Sequence, residues 1–170
     1  KAIFEALKID SGIVDADDRK SPMFLTNEDF SSLPMPARHL VDIDSYKYFI
    51  EDARAVSLIA QLGCPFHCAF CSGRNSPFLR KIRTRSIDSI IEEIDHLYKN
   101  HGFKGYMFYD DELNVNKGMV DLMNKLSDYQ KENNVEFRLR GFVKAELFTD
   151  EQAAAMYRAG FRGLLTGFES

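Results

Sequence analysis

Ala55-Val56-Ser57-Leu58-Ile59-Ala60, followed by Gln61-Leu62-Gly63 and then Cys64-Pro65-Phe66-His67-Cys68-Ala69-Phe70-Cys71, is the stretch from which the rest of the chain can be ordered. Its first six residues are a short apolar run, the pattern of a buried strand. Gly63 ends the run, and all three cysteines of the 170-residue chain follow within eight residues. An odd, clustered set is a poor disulfide framework. It reads better as a metal-binding loop in a reducing compartment, which agrees with a cytoplasmic location. Three thiolates on one tight loop can grip three irons of a cubane cluster. Conventional clusters take four cysteines, so the fourth iron would be open to another ligand. Zinc is the competing reading. His67 would complete a Cys3His set, but all four ligands would lie in one short loop instead of two separated pairs.

Downstream, the chain alternates between helix and strand patterns. After a basic loop from Arg74 to Arg85, Ile87, Ile90, Ile91, Ile94, Leu97 and Tyr98 recur at helical spacing. Ser86 can cap that helix, and Asn100 with Gly102 can end it. Tyr106-Met107-Phe108-Tyr109 reads as a second strand ending at Asp110-Asp111. Met119, Leu122, Met123, Leu126 and Tyr129 mark a second helix, and Val135 to Phe142 a third strand. Thr149-Asp150-Glu151-Gln152 is a capping box opening a third helix that Gly160 closes. Leu164 to Phe168 reads as a fourth strand. The order β-α-β-α-β-α-β predicts an α/β fold with parallel strands and right-handed crossovers, about four βα units of a larger barrel or open sheet. Residues 1–52 differ: acidic, proline-bearing and without a sustained period, they read as a linker or wrapping segment with a short helix around Ile3, Phe4 and Leu7.

Composition bounds the partners. A net charge of −4 disfavours bulk nucleic-acid binding. A hydrophobic fraction of 45% against 28% charged residues allows a buried core. No apolar run approaches the roughly 18 residues that a membrane helix needs. No secretory leader is visible, and a chain beginning at Lys1 leaves room for an upstream segment.

The spacing Cys64-x3-Cys68-x2-Cys71, with Phe70 immediately before the last cysteine and a strand before the loop, resembles the radical S-adenosylmethionine (SAM) superfamily. The resemblance implies a partial parallel (β/α) barrel over residues 53–170. It also implies a 4Fe-4S cluster on Cys64, Cys68 and Cys71, with SAM chelating the open iron. One electron would cleave SAM to methionine and a 5′-deoxyadenosyl radical that abstracts hydrogen from a small-molecule substrate. An electron donor such as flavodoxin or ferredoxin is implied as well. In parallel α/β folds ligands sit at the carboxyl ends of the strands. The second strand ends in Asp110-Asp111-Glu112, where the superfamily holds the SAM ammonium, and Asp110 or Asp111 would accept from it. The third carries Arg138, Arg140 and Lys144 at even spacing, on one face if the strand runs that far. Arg140 or Lys144 would meet the SAM carboxylate. The fourth ends in Gly167-Phe168-Glu169-Ser170, similar to the superfamily's Gly-x-Glu-Ser, with Glu169 toward the ribose hydroxyls, and Phe70 would lie near the adenine. The remaining two strands of the usual six fall beyond Ser170.

Phe30 to Leu40, with Asp42 and Tyr46, resembles the connector between a cobalamin-binding domain and a radical SAM core. Asp110-Asp111 resembles a variant of the same cobalamin-associated branch, in which methyl transfer is one activity. The Asp-x-His-x-x-Gly signature of cobalamin binding is absent from the sequence. Cobalamin, where used, would therefore be held by a domain outside this chain. The basic loop (Arg74, Arg80, Lys81, Arg83, Arg85) contains no acid and reads as solvated cations, with phosphate or RNA contact as the alternative. A non-catalytic iron-sulfur or zinc module in electron transfer or assembly is the alternative to an enzyme. A chain stopping on an apolar strand is expected to expose an unpaired barrel edge and to be inactive alone.

Overall fold

Caps written in the sequence set most element ends. In the computed structural model, which describes residues 15, 17–21 and 23–167, the chain runs α1 (Asn27–Ser31), β1 (Phe49–Ile50), β2 (Ala53–Leu58), β3 (Gln61–Leu62), α2 (Pro77–Arg80), β4 (Arg83–Thr84), α3 (Ile87–His101), β5 (Gly105–Phe108), α4 (Met119–Asn133), β6 (Arg138–Phe142), α5 (Asp150–Ala159) and β7 (Phe161–Leu165). Ser86 Oγ accepts from Ser89 N to open α3, and Gly102 closes it in the left-handed region at φ 70°. Thr149 and Gln152 form the reciprocal capping box of α5. Asn134, at φ 48°, takes the left-handed cap of α4.

Five strands form one sheet in the order β1-β2-β5-β6-β7. β2, β5, β6 and β7 are parallel, and β1 joins β2 antiparallel. Each parallel pair brackets one helix of ten or more residues (α3, α4 or α5), the first pair also enclosing α2 and the strands β3 and β4, which is the expected α/β partial barrel. The pleat divides the side chains. Leu58, Tyr106, Phe108, Leu139 and Phe161 face the helices and join Ile90, Ile94, Leu97, Leu122, Met123, Leu126 and Met156 in the main core. The opposite, inner face of the half-barrel holds only a small apolar cluster of Ile50, Ala55 and Met107, with Tyr48 and Phe142 against it. Ser57, Met107, Arg140 and Gly163 stand in one row across four strands on that face. The apolar side chains are thus divided unequally between the two faces of the sheet.

Several boundaries differ from the sequence expectation. The first strand begins at Ala53 and ends at Leu58, two residues before the apolar run does. The third begins only at Arg138, because Phe137 N donates to Gln130 Oε1 (2.6 Å) instead of to a strand. The fourth starts at Phe161, not Leu164. Gly160, at φ 105°, turns the chain straight from α5 into the sheet, with no room for a side chain against Phe137 O. The basic stretch is not a plain loop: it contains α2 and β4. Lys144 lies past the end of β6, so Arg138 and Arg140 share the inner face without it.

The helix expected around Ile3 to Leu7 lies outside the described residues. Nearer the sheet, Thr26 and Asp29 cap α1 reciprocally, and β1 supplies the antiparallel edge strand. Among the described residues no helix is long and apolar enough to cross a membrane.

Candidate metal centre

The cysteine loop leaves the sheet after β2, and a short ladder shuts its neck. Gln61 and Leu62 of β3 pair with Thr84 and Arg83 of β4. Inside the neck, Cys64 N donates to Leu79 O (2.9 Å) and Cys71 N to Cys68 O (3.0 Å), so the last two cysteines share one turn. Two arginines clamp the loop from outside. Arg80 donates to the carbonyls of Phe66 and Pro65, and Arg74 to that of Ala69. These residues were read from the sequence as solvated cations, yet two of them hold the backbone that carries the thiols. All three thiols are free; Cys64 and Cys68 are half-buried and Cys71 is exposed. Burial pushes the Cys64 thiol up, and the nearby charges of Glu112, Asp111 and Cys68 push the same way.

Gly63 makes the neck possible. Its φ is +90°, and a Cβ there would stand 2.1 Å from Lys81 O. Backbone cannot yield as a flexible side chain would. Gly63→Ala is expected to destabilise the chain by about 3 kcal/mol, a drop of about 6–12 °C in melting temperature for a chain of this size. Gly102→Ala provides the comparison: its φ is +70°, but nothing lies within 4 Å of the added Cβ. Equal melting temperatures for the two variants would refute the clash.

The carboxyl end of β5 lies directly behind this neck. Asp110 is buried and its Oδ1 accepts from Ala60 N (3.1 Å). Asp111 Oδ2 accepts from Gly63 N (2.8 Å), and Gln61 Nε2 donates to Glu112 O (3.1 Å). The acidic run therefore stitches β5 to the first leg of the cysteine loop. Of the two aspartates expected to meet an ammonium, Asp110 faces the loop backbone and Asp111 is exposed. Asn114, buried at the same end, bonds both ways with the backbone of Lys144 (3.0 and 2.9 Å) and so fixes the exit of β6. Gln61 and Asn114 escaped the sequence reading because amides at strand ends carry no pattern.

Burial pushes the Asp110 carboxyl up to about 7, against the lowering effect of the N–H bonds from Ala60 and Gln61. Its unfolded value is about 3.9. A raised folded value means that the contribution to stability is full below about pH 4 and is lost as pH rises through 7. The urea midpoint of the parent chain should therefore fall more steeply between pH 5 and pH 8 than that of Asp110→Asn. Parallel profiles would show that Asp110 ionises freely.

The end of β6 completes the surround. Lys144 Nζ stands 4.7 Å from the centre of the Phe66 ring and 2.7 Å from Glu146 Oε1. Its pKa is raised, first by the bond to Glu146 and further by the charges of Cys68 and Glu112. Arg140 sits one layer deeper, across Gly163, whose Cβ would come within 3.1 Å of its Nε. Arg138 is paired with Glu51 (2.8 Å) at the far end of the strand. So Lys144 is brought to the cysteine loop, Arg140 lines the inner face, and Arg138 is committed elsewhere. Phe70 is exposed on the loop, and Glu169 lies outside the described residues.

Among the described residues no three His, Cys, Asp or Glu side chains gather as a single metal ion requires. Three soft thiolates spaced along one clamped loop are a donor set of the kind a multi-iron cluster takes, one thiolate to each iron.

A family model described as the radical SAM superfamily matches residues 58–170. An uncharacterized methyltransferase of Pyrococcus horikoshii is 26% identical over 144 residues, covering 84% of this chain and 30% of that protein. Cytidylyl-2-hydroxyethylphosphonate methyltransferase of Streptomyces wedmorensis is 24% identical over 102 residues, covering 56% of this chain and 19% of the relative. The chain thus spans less than a third of the length of the curated relatives it matches. Among solved structures, the radical SAM methyltransferase TsrM of Kitasatospora setae, with cobalamin and a [4Fe-4S] cluster bound, superposes with a TM-score of 0.59 at 20% identity, covering 68% of this chain and 21% of that one. The cobalamin-dependent radical SAM enzyme OxsB, with cobalamin and SAM bound, gives a TM-score of 0.55 at 17% identity, covering 68% of this chain and 18% of that one.

Proposed function

This chain belongs to the radical SAM superfamily, and from that premise we propose that it is the cluster- and SAM-binding part of an enzyme that cleaves SAM reductively. The observation that carries the reading is the cysteine loop itself. It presents three thiols and no fourth, is clamped by Arg74 and Arg80, and is fastened by Asp110 and Asp111 to the carboxyl end of the half-barrel. Cys64, Cys68 and Cys71 would hold a 4Fe-4S cluster, which would supply the single electron that cleaves SAM to methionine and a 5′-deoxyadenosyl radical. The chain's own residues bind and orient. The exposed acid Asp111 faces the site of the SAM ammonium. Lys144, beside the loop, and Arg140, on the inner face, offer the carboxylate its cations, and charge-assisted bonds of this kind are about twice as strong as neutral ones. Phe70, exposed on the loop, is assigned to the adenine, and Glu169 is assigned to the ribose hydroxyls on the family resemblance alone. The inner face, with its sparse apolar cluster, admits a small-molecule substrate.

The relatives named as methyltransferases, and the fold shared with two cobalamin-bound enzymes, favour methyl transfer with cobalamin held by a domain outside these residues. The test is anaerobic reconstitution of the whole protein with iron and sulfide, followed by dithionite and SAM. A SAM-induced change in the cluster's electron paramagnetic resonance, with 5′-deoxyadenosine as product, is the expected result. A cluster whose signal ignores SAM would make the chain a binding module and overturn the reading.

A further inference from the structure

Among the described residues, Arg140 is a cation without a counter-charge. Its guanidinium has neither an ion pair nor a hydrogen bond there. The neighbouring cations of the same segment are paired. Arg138 holds Glu51 (2.8 Å) and Glu136 (3.3 Å), and Lys144 holds Glu146 (2.7 Å). The acids after β5 are engaged as well: Asp111 Oδ2 accepts from Gly63 N (2.8 Å), and the charge of Glu112 acts on Lys144 and Cys64. Arg140 is half-buried on the inner face, beside Met107 of β5 and Gly163 of β7. A Cβ at Gly163 would stand 3.1 Å from its Nε and 3.3 Å from its Cγ. The glycine is therefore a notch, and the arginine stem lies sideways over β7 at its own level of the sheet. The surroundings are apolar. Met107 is buried, and the half-buried Phe142 ring is 6.2 Å from that of Tyr109, which is exposed. A charge set among such groups is poorly solvated and favours an anion. The planar guanidinium fork fits a carboxylate or phosphate with two parallel bonds.

We propose that Arg140 is the substrate-binding cation of the half-barrel, and that the substrate is a small molecule with a carboxylate or phosphate group on an apolar or aromatic body. The inference rests on the function proposed above and divides its two cations, giving Lys144 to SAM and Arg140 to the substrate. Lys144 Nζ stands 4.7 Å from the ring of Phe66, inside the cysteine loop. Arg140 comes four residues earlier, roughly 13 Å away along an extended backbone. A single carboxylate would need both side chains stretched toward each other. Instead one lies over Gly163 and the other over Phe66 and Glu146. With its anion on Arg140, the substrate rests its body against Met107, Phe142 and Tyr109, between that anchor and the carboxyl end of the sheet. A neutral substrate would cover the guanidinium without pairing it, which weakens binding.

The test uses the reconstituted whole protein and two anionic probes, phenylacetate and phenylphosphonate, with neutral phenylacetamide as the control. Probe affinity is read by ligand-observed magnetic resonance, and SAM affinity by calorimetry and by the change in the cluster's paramagnetic resonance. Arg140→Gln should weaken the tighter anionic probe about tenfold or more, to the level of phenylacetamide, and leave SAM affinity within about twofold of the parent. Lys144→Gln should do the reverse. Arg140→Lys, which keeps the charge without the fork, should fall between the parent and Arg140→Gln in probe affinity. The probe that binds the parent more tightly tells a carboxylate substrate from a phosphate one. Unchanged probe affinity in Arg140→Gln overturns the proposal, as does phenylacetamide binding the parent as tightly as the anions. So does a SAM affinity that falls in Arg140→Gln as far as in Lys144→Gln, which would give Arg140 to SAM. A parent cluster that SAM does not perturb, with probes that still need Arg140, would instead sink the function proposed above and leave the anion site standing.

Discussion

Cys68→Ala in the whole protein should reduce reconstituted iron and sulfide to adventitious levels and SAM-dependent 5′-deoxyadenosine formation at least about 100-fold. Losing a residue that merely orients a metal ligand typically reduces affinity or activity about 10- to 100-fold, and removing a ligand exceeds that. No rescue is available within the chain, because Cys64, Cys68 and Cys71 are its only cysteines. The three positions differ in what else they do. Cys64 sits on the leg tied to Leu79, whereas Cys68 and Cys71 share a turn closed by a backbone bond, with Arg74 on the carbonyl of Ala69 between them. Cys71 is exposed and Cys68 only half-buried. Their alanine variants should therefore melt within about 2 °C of the parent apoprotein while losing the cluster, since surface substitutions away from special features change stability by no more than about 0.5 kcal/mol. A Cys68→Ala protein that retained its iron and its SAM-perturbed resonance would remove the basis of the functional reading.

The loop and the helix caps were legible because their causes are local. Ser86, Gly102 and the Thr149–Gln152 box each act on backbone within four residues of themselves, and the cysteine spacing is contained in eight. The order of strands and helices followed from periodicity over longer windows. What escaped is set at a distance. β3 and β4 are two residues each, too short to show alternation, and they exist because Gly63 lets the chain pass Lys81. β1 is equally short and lies within the stretch read as a linker. Phe161-Arg162-Gly163-Leu164-Leu165 has no clean alternation, and its register is decided by Gly160 against Phe137. The acidic turn after β5 was recognised, but which way Asp110 and Asp111 point depends on Ala60 and Gly63, about 50 residues earlier. The basic loop shows the same gap. Composition gave its charge, and only the fold separates Arg74 and Arg80, which grip the cysteine loop, from Lys81, which is exposed.

Glu93→Ala should be strongly destabilising, lowering stability by about 3–5 kcal/mol and the melting temperature by about 6–20 °C. Glu93 lies on α3 with its side chain 1% exposed, and both oxygens are occupied: Oε1 by Arg38 and Oε2 by Arg85, each at 2.5 Å. Truncation leaves two partly buried guanidinium groups without a counter-charge, which is why breaking a buried pair is far worse than never having built it. The same arginines hold the end of β2. Arg38 donates to Ser57 O (3.0 Å) and Arg85 to Ile59 O (3.2 Å). The carboxylate thus ties the N-terminal segment, α3 and the residues just before the cysteine loop to one point. A double-mutant cycle separates attraction from desolvation. Arg38→Met with Glu93→Ala should recover part of the stability lost by Glu93→Ala, because one orphaned charge is removed with its partner. Strict additivity of the two changes, or a Glu93→Ala melting temperature within 2 °C of the parent, would show that solvent reaches this cluster and that the N-terminal segment is held by β1 instead.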